Sequence, residues 1–231
     1  MEFALNHNNE RIHVSKANKT EEYFCPICHK KVVLRKGQTN IAHFAHQSNC
    51  DDSWHYDMSE WHSEWQNQFP KKNQEFVVEH NGEKHRADVM ACGYAIEFQH
   101  SPITAEEFDE RNEFYLSYGK KVIWVFDFID EVESGRIDWY DEWSKNNDKG
   151  AKFKWSYPKR FLQSYLPQDN KNITVFFQFS DSKHSDKEEC YIERVIWAIK
   201  EDGFSNFKRF VTSCYPGNSF ELLEWIKQQK L

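Results

Sequence analysis

Residues 86–99, RADVMACGYAIEFQ, decide the fold. The pattern reads as two strands joined at Cys92-Gly93, with polar residues set among apolar ones. If those two residues form the turn, positions equidistant from it face each other, and Asp88 lies across from Glu97. Side chains at i and i+2 share a face, so Gln99 stands beside Glu97 and Arg86 sits across from Gln99. Ile96 and Phe98 then point the other way, into a core. Opposed like charges destabilise a strand pair. A divalent cation between them removes that penalty, and hard carboxylate oxygens suit Mg²⁺ or Mn²⁺. Two competing readings stay open: a longer loop, since Cys is a poor residue for positive φ, or two acids on a solvent face.

The flanks place this hairpin in an α/β domain. Upstream, EFVVEH and EKHRADVMA surround Asn81-Gly82, a type I′ turn signal. Before them, SEWHSEWQNQF sets Trp61, Trp65 and Phe69 at i, i+4 and i+8 on one helical face, stopped by Pro70. Downstream, Thr104 and Glu107 form a capping box for a helix from about Ala105 to Tyr118, ended by Gly119. KKVIWVFDF follows as a strand apolar on both faces. Residues 131–168 predict a short helix or loops. NITVFFQF is a strand, CYIERVIWAI and FKRFVTS read as a hairpin around Asp202-Gly203, with a helix as the alternative for the first run, and a helix capped by Asn218 runs to the C-terminus.

Near the N-terminus, Cys25-Pro-Ile-Cys28 is a CxxC knuckle that lets two thiolates grip one Zn²⁺. His43, His46 and Cys50 follow, so five candidates compete for four tetrahedral positions. Cys25, Cys28, His46 and Cys50 are the preferred set, with His43 as substitute or as a partner behind the ligands. The spacing fits a DNA-reading finger poorly. A segment this small could scarcely hold its own core without a metal.

Composition bounds the rest. The chain has 231 residues and a net charge of −7, which argues against a wholly basic nucleic-acid coat. It shows no apolar run of membrane-spanning length and no apolar signal-peptide core. A cytoplasmic protein is the expectation, with thiols or metal ligands rather than disulfides. The expected division is 1–55, a zinc-binding module; 56–130, the α/β core; and 131–231, a C-terminal α/β extension.

Taken in order, CPIC, HFAH, SEWH, RADV, AIEFQ and VIWVF resemble the competence protein CoiA-like family. That resemblance implies a PD-(D/E)xK restriction-endonuclease-like mixed sheet flanked by helices, preceded by a zinc-finger-like segment. By it, Asp88 and Glu97 take the places of the motif's two metal-binding acids, and Gln99 stands where the name-giving Lys normally lies. Gln cannot carry a positive charge, yet it can orient a water. The resemblance also implies a helical acid completing the site, for which Glu60 is the candidate and Glu64 its rival. DNA is the implied substrate, in DNA uptake and recombination, with a possible protein partner, or in defence against foreign DNA.

Supporting positions follow from charge and spacing. His62 is expected to contact phosphate or shuttle a proton. Arg111 and Tyr115, at i and i+4, are expected to present a cation and a hydroxyl to the scissile phosphate. Lys84, His85 and Arg86 add local positive charge, and Trp155, Lys159 and Arg160 suit single-strand stacking. The rival functions are a DNA-binding or partner-docking module that has lost cleavage, and a structural zinc protein that docks through its aromatic C-terminal half.

Overall fold

The computed structural model describes residues 1–37, 41–47, 50, 54, 58–139, 152–157, 171–180, 192–198, 207–213 and 219–228. The chain forms two compact units, Met1–Met90 and Ala91–Leu231.

The first unit begins with short strands: β1 (Phe3–Leu5), β2 (Arg11–His13), β3 (Tyr23–Phe24), β4 (Lys31–Arg35) and β5 (His43–His46). They form an antiparallel sheet in the order β2-β1-β3-β4-β5. Ala4, Val14, Tyr23, Ile27, Val32 and Phe44 make its small core. Helix α1 (Glu60–Asn67) follows, capped by Ser59, whose hydroxyl accepts the His62 N–H. Trp65 and Phe69 are buried on α1 and just beyond it, but so are His62, Ser63 and Gln66. The helix therefore turns a polar stripe inward.

Strands β6 (Gln74–His80) and β7 (Glu83–Ala91) close the predicted hairpin, with His80 opposite Glu83. Asn81 and Gly82 have φ of 53° and 85°, the positive pair a type I′ turn requires. Buried carboxylates fasten the N-terminal sheet to this half of the unit. Glu75 accepts the Glu2 and Phe3 N–H groups, and Glu2 accepts the Ser63 hydroxyl at 2.6 Å.

The second unit opens with a two-residue turn at Cys92 (φ 52°) and Gly93 (φ 85°), again the type I′ signature despite the Cys. Its strands are β8 (Tyr94–Gln99), β9 (Lys121–Asp127), β10 (Ile137–Trp139), β11 (Lys152–Ser156), β12 (Ile173–Gln178), β13 (Ile192–Ala198) and β14 (Phe207–Ser213). They lie in the order β10-β11-β14-β13-β12-β9-β8. The β8/β9 and β9/β12 pairs are parallel and the others antiparallel, so the sheet is mixed.

Val122, Ile123, Trp124, Val125 and Phe126 of the central β9 are all 0% exposed, the mark of a strand covered on both faces. Helix α2 (Ala105–Ser117), capped by Thr104, links β8 to β9. Helix α3 (Ile129–Glu133) and helix α4 (Ser219–Gln228) complete the elements. Residues 137–139 and 152–156, expected as helix or loop, are strands paired with each other. The Asp202-Gly203 turn lies outside the described residues, though β13 and β14 pair antiparallel as expected. Among the described residues no helix is long and apolar enough to cross a membrane.

Candidate functional site

One ligand cluster lies in the N-terminal sheet. Ligand atoms of Cys25, Cys28, His46 and Cys50 all fall within 4.8 Å of one another. The Cys25–Cys50 and Cys28–Cys50 sulfurs are 3.9 and 3.7 Å apart, and Cys28 Sγ lies 3.4 Å from His46 Nε2. A tetrahedral Zn²⁺ with bonds of about 2.3 Å to sulfur and 2.0 Å to nitrogen puts neighbouring donors about 3.5–3.8 Å apart. The donors fit the ion.

The knuckle is built by the chain itself. Cys25 O accepts the His29 N–H, Ile27 N–H points at Cys25 Sγ, and His29 takes the left-handed φ of 54° that turns the chain into β4. Burial pushes the Cys25 thiol up to about 12, against the pull of the Cys28 and Ile27 N–H groups, and the Cys50 and Cys28 sulfurs add to the rise. Four close donors of this kind make poor anions without a cation among them. His43 is not in the cluster: it sits on strand β5 three residues before His46, so the pleat turns it to the other face. Its Nδ1 donates to Ile41 O at 2.7 Å. The strand conformation, rather than a helical turn, decided between the two histidines.

A second polar cluster lies between α1 and β7 in the same unit. Asp88 is 4% exposed and His62 1%. Asp88 Oδ1 is 3.1 Å from His62 Nε2 and 3.4 Å from Gln66 Nε2, and the Gln66 nitrogen is 2.9 Å from His62 Nε2. Glu60 and Glu64, the acids expected from this helix, are exposed, while His62 and Gln66 supply the inward face. His62 is thus turned to Asp88 and away from solvent, where a phosphate would be met.

Arg86, expected to hold DNA, is half-buried and lies beside Glu75. Burial pushes the Glu75 carboxyl up, but Arg86, the Met1 amino group and the Glu2 and Phe3 N–H groups outweigh it and hold it below the ordinary range. Lys84 pairs with Glu79 at 3.1 Å, and His85 stacks on Trp54.

In the second unit, Glu97 and Gln99 share one face of β8, opposite Ile96 and Phe98. The parallel register sets Glu97 beside Trp124 and Gln99 beside Phe126. Helix α2 covers that face: Phe108 packs on Trp124 at 4.9 Å, and Asn112 accepts the Trp124 indole N–H. Arg111, 2% exposed, donates Nη1 to Glu97 Oε2 at 2.9 Å and also pairs with Glu107. It is a clamp on Glu97 and not a cation presented to solvent. Gln99 is 5% exposed and its amide donates to Ser101 O at 2.7 Å. Tyr115 is 0% exposed and packs edge-on against Phe114, so its hydroxyl is not presented to a substrate. Trp155, expected as a stacking platform, is also 0% exposed and donates its indole N–H to Glu131. Lys159 and Arg160 lie outside the described residues.

Sequence reasoning missed Gln66, since a Gln four residues after a His on a helix reads as solvent-facing. The signal available was that both share one α1 stripe with the capped Ser59 end.

Comparison with known proteins adds the family. Residues 6–53 match the model described as competence protein CoiA, N-terminal domain, and residues 56–207 match competence protein CoiA, nuclease-like domain. The first contains all four thiol and imidazole donors of the cluster; the second contains Asp88 and Glu97 with their buried partners. The nuclease-like α/β architecture and the N-terminal module with a Cys₃His cluster that could hold a metal agree with the expectation from sequence. No curated protein and no solved structure matches the chain.

Proposed function

The chain belongs to the competence protein CoiA family, and from that premise we propose that it is a metal-dependent deoxyribonuclease whose catalytic ion is held by Asp88 and Glu97. One observation carries the reading: two acids less than one-tenth exposed, each held by its own buried partners, stand four residues before and four after the Cys92-Gly93 turn. On the arithmetic of the sequence, a two-residue turn pairs equidistant positions, and that arithmetic is the ground for assigning both carboxylates to one ion.

When bound, Mg²⁺ or Mn²⁺ there supplies Lewis acidity to the scissile phosphate and a lowered pKa to the attacking water. The chain does the rest. Asp88 and Glu97 would hold the ion by their carboxylates. Arg111 fixes the Glu97 carboxylate by its hydrogen bond to Oε2, and Gln99, anchored on Ser101, orients the water by its amide. Exposed cations hold the DNA backbone, giving salt-dependent binding with little sequence readout. Cys25, Cys28, His46 and Cys50 hold a structural Zn²⁺. The setting is DNA uptake and recombination or defence against foreign DNA, with a protein partner of such a system.

Incubation with single-stranded, duplex and branched DNA tests the reading. Cleavage that needs Mg²⁺ or Mn²⁺ and is lost in Asp88→Ala and Glu97→Ala is the expected outcome. Cleavage that survives both substitutions would sink the site. DNA binding without cleavage would instead favour a module that has lost catalysis, the reading that Gln in place of Lys at position 99 supports.

A further inference from the structure

His62 has no task in that reaction, yet it is among the most buried polar side chains of the described residues, and its Nε2 stands 3.1 Å from Asp88 Oδ1. An octahedral ion with bonds of about 2.1–2.2 Å puts adjacent donors about 3.0–3.1 Å apart. We propose that His62 Nε2 is a direct ligand of the ion held by Asp88, and that this nitrogen makes the site a Mn²⁺ site in preference to a Mg²⁺ site. The proposal rests on the reading that Asp88 binds a divalent ion.

Three features of the first unit point the same way. The ring is fixed before any ion arrives: Ser59 caps the α1 turn that carries it, and the neighbouring Ser63 is tied to Glu2. Burial keeps the ring from bulk water, and an ion on Asp88 would lie within reach of its Nε2. Gln66, 0% exposed, points into the same cluster, and its Oε1 is a buried oxygen with no hydrogen-bond partner among the described residues. A half-turn of the amide exchanges Oε1 with Nε2, and the oxygen then faces the point shared by His62 and Asp88, toward the ion or a water on it.

The metal preference follows from donor type. Mg²⁺ takes oxygen donors and gives up water reluctantly, whereas imidazole suits transition ions. A nitrogen donor therefore raises Mn²⁺ affinity more than Mg²⁺ affinity.

The test uses the zinc-replete full chain loaded with one equivalent of Mn²⁺ and read by pulsed electron paramagnetic resonance. Nitrogen modulation from a coordinated imidazole is expected in the wild type and its loss in His62→Gln, with Mn²⁺ affinity falling at least about tenfold and Mg²⁺ affinity changing less. Asp88→Asn removes bound Mn²⁺ altogether, which separates this site from the Cys₃His cluster. Bound Mn²⁺ with no imidazole modulation in the wild type overturns the His62 assignment and leaves the nuclease reading standing. A wild type that binds no Mn²⁺ overturns both. The wild-type spectrum needs no variant to fold, so a misfolded His62→Gln does not rescue the idea.

Discussion

Replacing Arg111 with Met removes the cation that faces Glu97 and keeps most of the side-chain bulk. Arg111 and Glu97 are 2% and 1% exposed, so neither side chain has water to fall back on. The Nη1–Oε2 contact of 2.9 Å is a charge-assisted hydrogen bond in a low-dielectric setting. Breaking a buried pair by removing one partner typically costs about 3–5 kcal/mol, because the remaining charge is stranded. For a chain of this size each kcal/mol moves Tm by roughly 2–4 °C, so Arg111→Met is expected to lower Tm by about 6–20 °C in the presence of a chelator. The double variant Arg111→Met/Glu97→Gln removes the stranded charge and should recover at least about half of the loss. Adding Mn²⁺ to the single variant should recover part of it as well, since an ion on Glu97 replaces the missing cation. Thermal unfolding followed by calorimetry, with and without metal, reads all three arms. A loss below about 1 kcal/mol in the single variant, or no recovery in the double, would refute the reasoning that Arg111 exists to hold Glu97.

Other outcomes follow from the same physics. Cys28→Ser should lower zinc content from about one per chain to near zero and unfold the N-terminal sheet, read by metal analysis and limited proteolysis; a zinc-free variant that keeps the wild-type protease resistance would contradict this. Glu75→Gln should cost about 3–5 kcal/mol at neutral pH, because Arg86 and the Glu2 and Phe3 N–H groups lose an anion. The folded carboxyl of Glu75 sits below its ordinary value of 4.5, so its contribution is present above that pH and is lost as pH falls through the depressed value. The gap between wild type and Glu75→Gln should therefore close in acid, as urea titrations across pH would show. Cys92→Asn should stabilise by about 0.5–1 kcal/mol, since Asn tolerates the left-handed φ of 52° that Cys92 must adopt; a destabilised variant would mean that the Cys92 side chain holds more than the turn.

Much of this architecture was legible in sequence, and for identifiable reasons. Asn81-Gly82 and Cys92-Gly93 announced their turns because the strands on either side leave room for only two residues. Thr104 and Gly119 marked both ends of α2. The CxxC knuckle with His46 and Cys50 was readable because metal ligation needs few residue types at short spacings.

The failures have physical causes too. Strands β1 and β2 are three residues each, and β3 two, too short for any periodicity to emerge. Strands β10 and β11 pair across the gap from residue 139 to 152, and a pairing of that separation leaves no local signature. On α1 the aromatic stripe of Trp61, Trp65 and Phe69 was legible, but the inward polar stripe of His62 and Gln66 was not, since polar residues on a helix ordinarily face water. Arg111, Tyr115 and Trp155 carried the right chemistry for DNA contact, and only burial shows that each is spent inside the protein. Residue type can nominate a site, but only packing decides which nominees reach it.

The central claim is that Asp88 and Glu97 hold one ion between them. Isothermal titration of Mn²⁺ into the zinc-replete chain, its Asp88→Asn variant and its Glu97→Gln variant tests it most directly. The account predicts about one Mn²⁺ per wild-type chain beyond the zinc and loss of that binding in each variant alone. Undiminished Mn²⁺ affinity in either variant would contradict it.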